Sequence, residues 1–239
     1  MLTIYFRQST TSILEVYKSL LNSQCIYCLQ ASASNICPDC QAALPTLGQH
    51  CPKCSEPNHH GQLCGHCLQQ PPAFDEVICP FVFQPPISDL IHRWKKRPHA
   101  LGVELLVQRL LASLSEHEFD AVVAVPYYWK KLLWRGHNPV RKLAKQISKQ
   151  LHTPLLDAIS RSQSGHAQRG LGRKQRLKNL RGVFALKPKY KAQLRHKNIL
   201  LVDDVVTTGA TCNHISKLLK AAGAQSITLA CLARTAPSS

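Results

Sequence analysis

Beyond residue 75 the apolar positions fall into two patterns, short runs rich in β-branched residues and longer stretches at helical spacing. "EVICPFVF" (76–83), "DAVVAVP" (120–126), "RGVFAL" (181–186), "NILLVDD" (198–204) and "SITLACLA" (226–233) predict strands. "ISDLIHRWKK" (87–96) and "GVELLVQRLLASLSEH" (102–117) predict helices. "NPVRKLAKQISKQL" predicts an amphipathic helix, with Asn138 as its cap and Pro139 in its first turn. Another helix should run from about Thr211 to Ala222 and end at Gly223. Strand, helix and strand at this spacing imply parallel crossovers and an α/β fold with an open parallel sheet flanked by helices.

The first 70 residues show little of this periodicity and many turn formers, so they cannot build a hydrophobic core alone. The stretch before Cys25 reads as a lead-in helix and not a signal peptide, because no charged segment precedes an apolar core and a cleavage site. "QQPPAF" around Pro71 and Pro72 reads as a linker. Two parts follow: 1–70, the lead-in helix with a small cysteine module, and 71–239, the α/β domain. No apolar run approaches a membrane span, and the expected location is the cytoplasm.

Eleven cysteines in such a compartment are poor candidates for disulfides. Eight of them form four C-x-x-C pairs, "CIYC", "CPDC", "CPKC" and "CGHC". Each pair offers two thiolates from one tight turn, and two pairs complete a tetrahedron around Zn²⁺. Two closed, structural zinc sites are therefore expected. Sequential pairing puts Cys25, Cys28, Cys37 and Cys40 on one ion and Cys51, Cys54, Cys64 and Cys67 on the other. Cross-braced pairing is the competitor, and an iron–sulfur cluster is the other ligand-compatible alternative. His50, His59, His60 and His66 lie nearby as substitute ligands, although surface histidines on a small ribbon are the simpler interpretation. Cys79, Cys212 and Cys231 fall in or beside apolar segments and read as buried small residues.

The net charge of +17 is unevenly spread: residues 121–202 carry nineteen Lys and Arg against one acidic residue, Asp157. A field of that sign attracts polyanions such as phosphorylated substrates or nucleic acid, though it also solubilises a surface. Within that setting, "ILLVDDVVTTGATC" (199–212) places Asp203 and Asp204 at a strand end, where open parallel sheets bind ligands. The loop that follows enters a helix, presenting unpaired N–H groups and the positive end of the helix dipole. Its threonine hydroxyls and Gly209 make it suited to a phosphate. A sugar phosphate reconciles the two halves, with hydroxyls donating to the carboxylates and the phosphate taking the amides.

"VDDVVTTGAT" resembles the signature of type I phosphoribosyltransferases, a strand, two acidic residues and a T-T-G-x-T loop. The resemblance implies that Asp203 and Asp204 hold the ribose 2- and 3-hydroxyls. Thr207, Thr208, Gly209, Ala210 and Thr211 would bind the 5-phosphate. The ligand would be phosphoribosyl pyrophosphate with Mg²⁺, and the chemistry displacement of pyrophosphate from C1. With its cysteine knuckles, nearly the whole chain resembles the ComF/GntX-like competence family. "LIHRWKK" (90–96), "VPYYWKKLLWRGHNP" (125–139) and "SRSQSGHAQRGLGRKQRLKNLRGVFAL" (160–186) match further segments of that family. His137 and Pro139 stand where the family usually has Phe and Gln. The resemblance points to Lys95, Lys130, Lys131 and Arg135, with Arg169, Arg173 and Arg176, as groups for the pyrophosphate end.

The resemblance also implies a role in DNA uptake during natural transformation. Two classes of function remain open at this point. One is an enzyme, a phosphoribosyltransferase of the glycosyltransferase class. The other is a non-catalytic single-stranded DNA-binding protein, or an adaptor that docks a DNA-uptake helicase or translocation partner.

Overall fold

The structure, a computed structural model, describes residues 24–97, 99–127, 136–161 and 182–236. The expected lead-in helix lies outside them. The chain divides into two compact units, residues 1–44 and 45–239. By sequence pattern the change falls near residue 70, whereas by packing the second pair of knuckles belongs with the α/β unit.

In the first unit a short helix α1 (Pro38–Ala42) grows directly out of a knuckle. Cys37 is its N-cap, with Pro38 at the first helical position and its sulfur facing the Cys40 N–H at 3.5 Å. The first knuckle closes in a similar way, with Cys25 N–H donating to Gln30 O at 2.8 Å.

In the second unit α2 (Gly65–Gln69) belongs to the last knuckle and leads to the strands β1 (Glu76–Ile78) and β2 (Phe81–Val82). Helices α3 (Ile87–Lys96) and α4 (Val103–Leu114) follow, then β3 (Ala121–Ala124) and α5 (Pro139–Gln150). The chain continues through β4 (Leu155–Leu156), β5 (Ile159–Arg161), β6 (Phe184–Leu186), α6 (Lys191–Leu194) and β7 (Asn198–Val202). It ends in β8 (Val205–Val206), α7 (Ala210–Ala221), β9 (Ser226–Ala230) and β10 (Ala233–Arg234). The main sheet is all parallel, in the order β1-β9-β7-β3-β4. β5 and β6 form a separate antiparallel pair. This is the open parallel sheet flanked by helices that the alternating pattern implied, with the cysteine knuckles ahead of it in the chain.

The amphipathic pattern of α5 shows why its residues fold as they do. Val140, Leu143, Ala144 and Ile147 are buried at helical spacing against β3, and its cap is as expected. Asn138 Oδ1 accepts the Arg141 N–H at 2.9 Å, satisfying a first-turn donor.

Two expected strands are each interrupted by two residues, "EVICPFVF" at Cys79–Pro80 and "SITLACLA" at Cys231–Leu232. The expected strand 198–204 stops at Val202, and after Asp203–Asp204 a further short strand forms at Val205–Val206 that was not expected. Beyond the breaks the chains pair again as a second parallel sheet, β2-β10-β8. Proline supplies one reason for the break, since Pro80 has no N–H to donate to a ladder. Hydrogen bonds still cross the crease: Asp203 N–H to Ala230 O, Leu232 N–H to Asp204 O, and Cys231 N–H to Ile78 O, at 3.0, 3.0 and 3.1 Å. The acidic pair thus sits in a crease between two sheets.

Candidate functional site

The crease orders the carboxylates differently. Asp204 is buried, at 7% exposure, while Asp203 is partly buried. Asp203 Oδ1 accepts the Asp204 N–H at 2.8 Å, and its Oδ2 faces the Cys212 thiol at 3.5 Å. Asp204 Oδ1 is held by Lys95 Nζ at 2.8 Å. Lys95 comes from the last turn of α3, whose buried face (Leu90, Ile91, Trp94) sets its direction.

Loss of hydration pushes the Asp203 carboxyl up to about 7, and the neighbouring charge of Asp204 adds to this. The Asp204 amide, the Cys212 thiol and the Lys95 ammonium pull the other way. Burial, then the charge of Asp203, raises the Cys212 thiol well above its ordinary range. Cys212 therefore stays a neutral S–H that donates to the carboxylate. This role was invisible in a residue read only as a small apolar one.

The loop after β8 carries the remaining predicted residues. Thr207 and Thr208 are exposed, and Gly209, Ala210 and Thr211 are partly so. Gly209 caps α7 in the left-handed region, at φ 70°. A Cβ there would meet only the Phe74 ring and Val206 at ordinary contact distances, so the backbone conformation and not space selects glycine. Ala210 N–H faces Thr208 Oγ1 at 3.4 Å, and the Asn213 N–H donates to Gly209 O at 2.8 Å to begin the helix. The first-turn amides of Thr211 and Cys212 have no intrahelical carbonyl, which leaves α7 with donors for an anion. Linker residues brace the loop from beneath: Phe74 is buried, and Ala73 N–H donates to Asn213 Oδ1 at 2.8 Å.

Arg234 escaped the sequence reading. It stands at the end of "SITLACLAR", a lone cation closing an apolar strand, and it is 4% exposed. Its Nε donates to Cys54 O at 3.0 Å and its Nη1 to Val206 O at 3.2 Å, and Nη2 pairs with Glu56 Oε2 at 3.4 Å.

The eight cysteines of the knuckles gather as sequential pairing requires, Cys25, Cys28, Cys37 and Cys40 in one cluster and Cys51, Cys54, Cys64 and Cys67 in the other. Within each cluster all sulfurs lie within 4.8 Å of one another, with Cys28–Cys37 at 3.6 Å and Cys54–Cys64 at 3.7 Å. Four thiolates about 2.3 Å from a central Zn²⁺ stand about that far apart. Backbone N–H groups, that of Cys28 first, lower the Cys25 thiol to about 6. Burial opposes ionisation of Cys51, yet amides led by that of Cys64 bring it down to about 7. Donor set and spacing both fit structural zinc, with four cysteine ligands for each ion. Cys79 and Cys231 are buried, as expected.

Among the described residues these two clusters are the groups of three or more His, Cys, Asp or Glu that converge on a metal-sized space. Lys130, Lys131, Arg135, Arg169, Arg173 and Arg176 lie outside the described residues. Lys95 is described, and it pairs with Asp204. Among the described residues no helix is long and apolar enough to cross a membrane.

Residues 139–238 match the phosphoribosyl transferase domain family, and residues 16–68 match the double zinc ribbon domain family. The chain is similar to "Competence protein F" of Haemophilus influenzae, 33% identical over 90% of this chain and 99% of that protein. It is also similar to "DNA utilization protein YhgH" of Escherichia coli, at 35% identity over 84% of this chain and 90% of that one. "Competence protein ComFC" of Streptococcus pneumoniae is 25% identical over 89% and 94%. With two cysteine clusters ahead of a parallel sheet, and these relatives along most of its length, the chain belongs to the competence protein F family of double zinc ribbon, phosphoribosyltransferase-like proteins.

Proposed function

We propose that the crease and the 207–211 loop bind phosphoribosyl pyrophosphate, and that the protein serves DNA uptake and use in the cytoplasm. The carrying observation is the continuity of the site: five residues after Asp204 in the crease comes a left-handed glycine that caps a helix with free first-turn amides. The ribose hydroxyls donate to Asp203 and Asp204, and the 5-phosphate takes the amides and hydroxyls of Thr207, Thr208, Gly209, Ala210 and Thr211. Lys95 orients Asp204 through their 2.8 Å ion pair, and its ammonium is a cation for the pyrophosphate end. Lys130, Lys131, Arg135, Arg169, Arg173 and Arg176 supply further positive charge to that group. Mg²⁺ would come with the ligand and would supply charge neutralisation at the leaving group. The protein's own part in transfer is to hold C1 open to an acceptor and stabilise the departing pyrophosphate. Zn²⁺ at the two cysteine clusters is structural, and thiolate clusters of this kind suit a reducing compartment.

Isothermal titration with phosphoribosyl pyrophosphate and Mg²⁺ tests the proposal. Saturable binding that Asp203→Asn with Asp204→Asn abolishes is the expected result. No heat in the zinc-loaded protein would overturn it.

A second reading rests on a separate observation. Helix α5 exposes Arg141, Lys142, Lys145 and Lys149 opposite its buried stripe, a cationic ridge of the kind that tracks a phosphate backbone. On this reading the protein binds single-stranded DNA without turnover, or adapts it to a helicase or translocation partner.

A further inference from the structure

Two charged side chains are buried among the described residues, Asp204 and Arg234. The first belongs to the site. The second lies outside the acidic pair and the 207–211 loop, yet a buried guanidinium is costly unless its donors are matched. Packing does not call for it: Leu232 and Ala233 beside it are apolar and fully buried. What it does instead is join two segments far apart in the chain.

On one side Arg234 takes the carbonyl of Cys54, a ligand of the second cluster, and the carboxylate of Glu56 two residues on. That knuckle is a closed turn, with Cys51 N–H on Glu56 O and Ser55 N–H on Cys51 O, at 2.9 and 2.8 Å. Ser55 is buried and donates its hydroxyl to Val77 O of β1, so the knuckle is tied to the sheet at a second point. On the other side Nη1 reaches Val206 O, the last carbonyl before the phosphate loop. The same oxygen also accepts the Thr235 N–H at 3.0 Å. Both acceptor positions of that carbonyl are thus filled, which fixes the plane of the Val206–Thr207 peptide and the direction in which the loop leaves β8.

We propose that Arg234 makes the second cysteine cluster part of the phosphate site. The metal folds the Cys51–Glu56 turn, the turn holds the guanidinium, and the guanidinium holds the root of the 207–211 loop. Arg234 is a positioning residue, and its effect is a linkage between metal at Cys51, Cys54, Cys64 and Cys67 and an anion on the loop. Linkage is reciprocal, so the anion must tighten the metal as much as the metal tightens the anion. The choice of anion rests on the function proposed above; the positioning of the loop does not.

The test uses the full chain loaded with two zinc ions, as wild type, Arg234→Gln, Arg234→Lys and Glu56→Gln. Hydrogen exchange over residues 205–213 reads the loop without any ligand. Transfer of zinc to a chromophoric chelator, with and without phosphoribosyl pyrophosphate and Mg²⁺, reads the linkage. Arg234→Gln is expected to raise exchange across 205–213 about tenfold while α5 is unaffected, as the loss of charge-assisted bonds at one point should. In wild type the ligand should slow release of one of the two zinc ions about tenfold, and Arg234→Gln should remove that protection. Arg234→Lys should restore only part, since an ammonium cannot fork between the two carbonyls. Unchanged exchange in zinc-loaded Arg234→Gln overturns the proposal, as does unaltered zinc release in ligand-bound wild type. If wild type binds no phosphoribosyl pyrophosphate, the proposed ligand falls, and the exchange measurement still decides the role of Arg234. Should Arg234→Gln fail to fold, Glu56→Gln, which removes one contact at the half-exposed end, decides by the same two readouts.

Discussion

At the scale of single residues, Asp203 has the most consequential environment. Its carboxyl is raised to about 7 in the folded chain against 3.8 in an unfolded one. Between those values the native state holds a proton that the unfolded state has released, so stability falls as pH rises through that window. The penalty is complete above pH 7 and absent below the unfolded value. Asp203→Asn should therefore stabilise the protein at pH 8, by about 2–4 kcal/mol, and change nothing at the acid end. Denaturant unfolding at a series of pH values checks this. Ligand binding should run the opposite way. If ribose hydroxyls donate to Asp203 as proposed, they need the ionised carboxylate, so affinity should fall about tenfold per unit as pH drops below 7 in the wild type. Lys95→Met removes a cation that lowers the Asp203 value, and should shift that midpoint upward. The identities of Asp203 and Asp204 were legible in the sequence because adjacent carboxylates after an apolar run are unusual. Their inequality was not. It depends on Lys95 and Cys212, which reach them from elements whose arrangement only the sheet order fixes.

At the scale of elements, the periodic segments were legible and the breaks were not. α3 spans the segment read as a helix from residues 87–96, and the cap and first-turn proline of α5 fall where Asn138 and Pro139 implied. Those signals are local: a side-chain acceptor, a fixed φ, a stripe of apolar residues. The crease is not local. Cys231–Leu232 has no turn former, and the strand divides there because three neighbouring strands change sheets together. Arg234 was missed for the same reason, since its partners Cys54 and Val206 are distant in sequence. Two changes probe elements separately. Asn138→Ala removes the α5 cap and should cost about 1 kcal/mol, seen as a lower midpoint in urea with an unchanged slope. Gly209→Ala asks an alanine to adopt φ 70° and should cost about 1–2 kcal/mol. Because a Cβ fits the space, the protein should still fold, with affinity for phosphoribosyl pyrophosphate reduced at least tenfold as α7 loses its starting geometry.

For the whole molecule the open question is how a net charge of +17 is used. Much of it falls in residues 121–202, and within the described part of that range α5 presents Lys145 and Lys149 on its exposed face. If that ridge carries a single strand of DNA, binding releases condensed counterions and the logarithm of affinity falls linearly with the logarithm of salt, by about 0.7 for each phosphate neutralised. Lys145→Gln with Lys149→Gln should then reduce the slope by about 1.4. The heat of phosphoribosyl pyrophosphate binding should not change, because the crease and the 207–211 loop keep every contact described above. Competition separates the two readings further. DNA held only on the ridge stays bound when phosphoribosyl pyrophosphate saturates the loop, whereas DNA that places a terminal ribose phosphate in the crease is displaced. Displacement that Asp203→Asn abolishes would mean that one site serves both ligands, and that the basic surface delivers a strand end to the carboxylates.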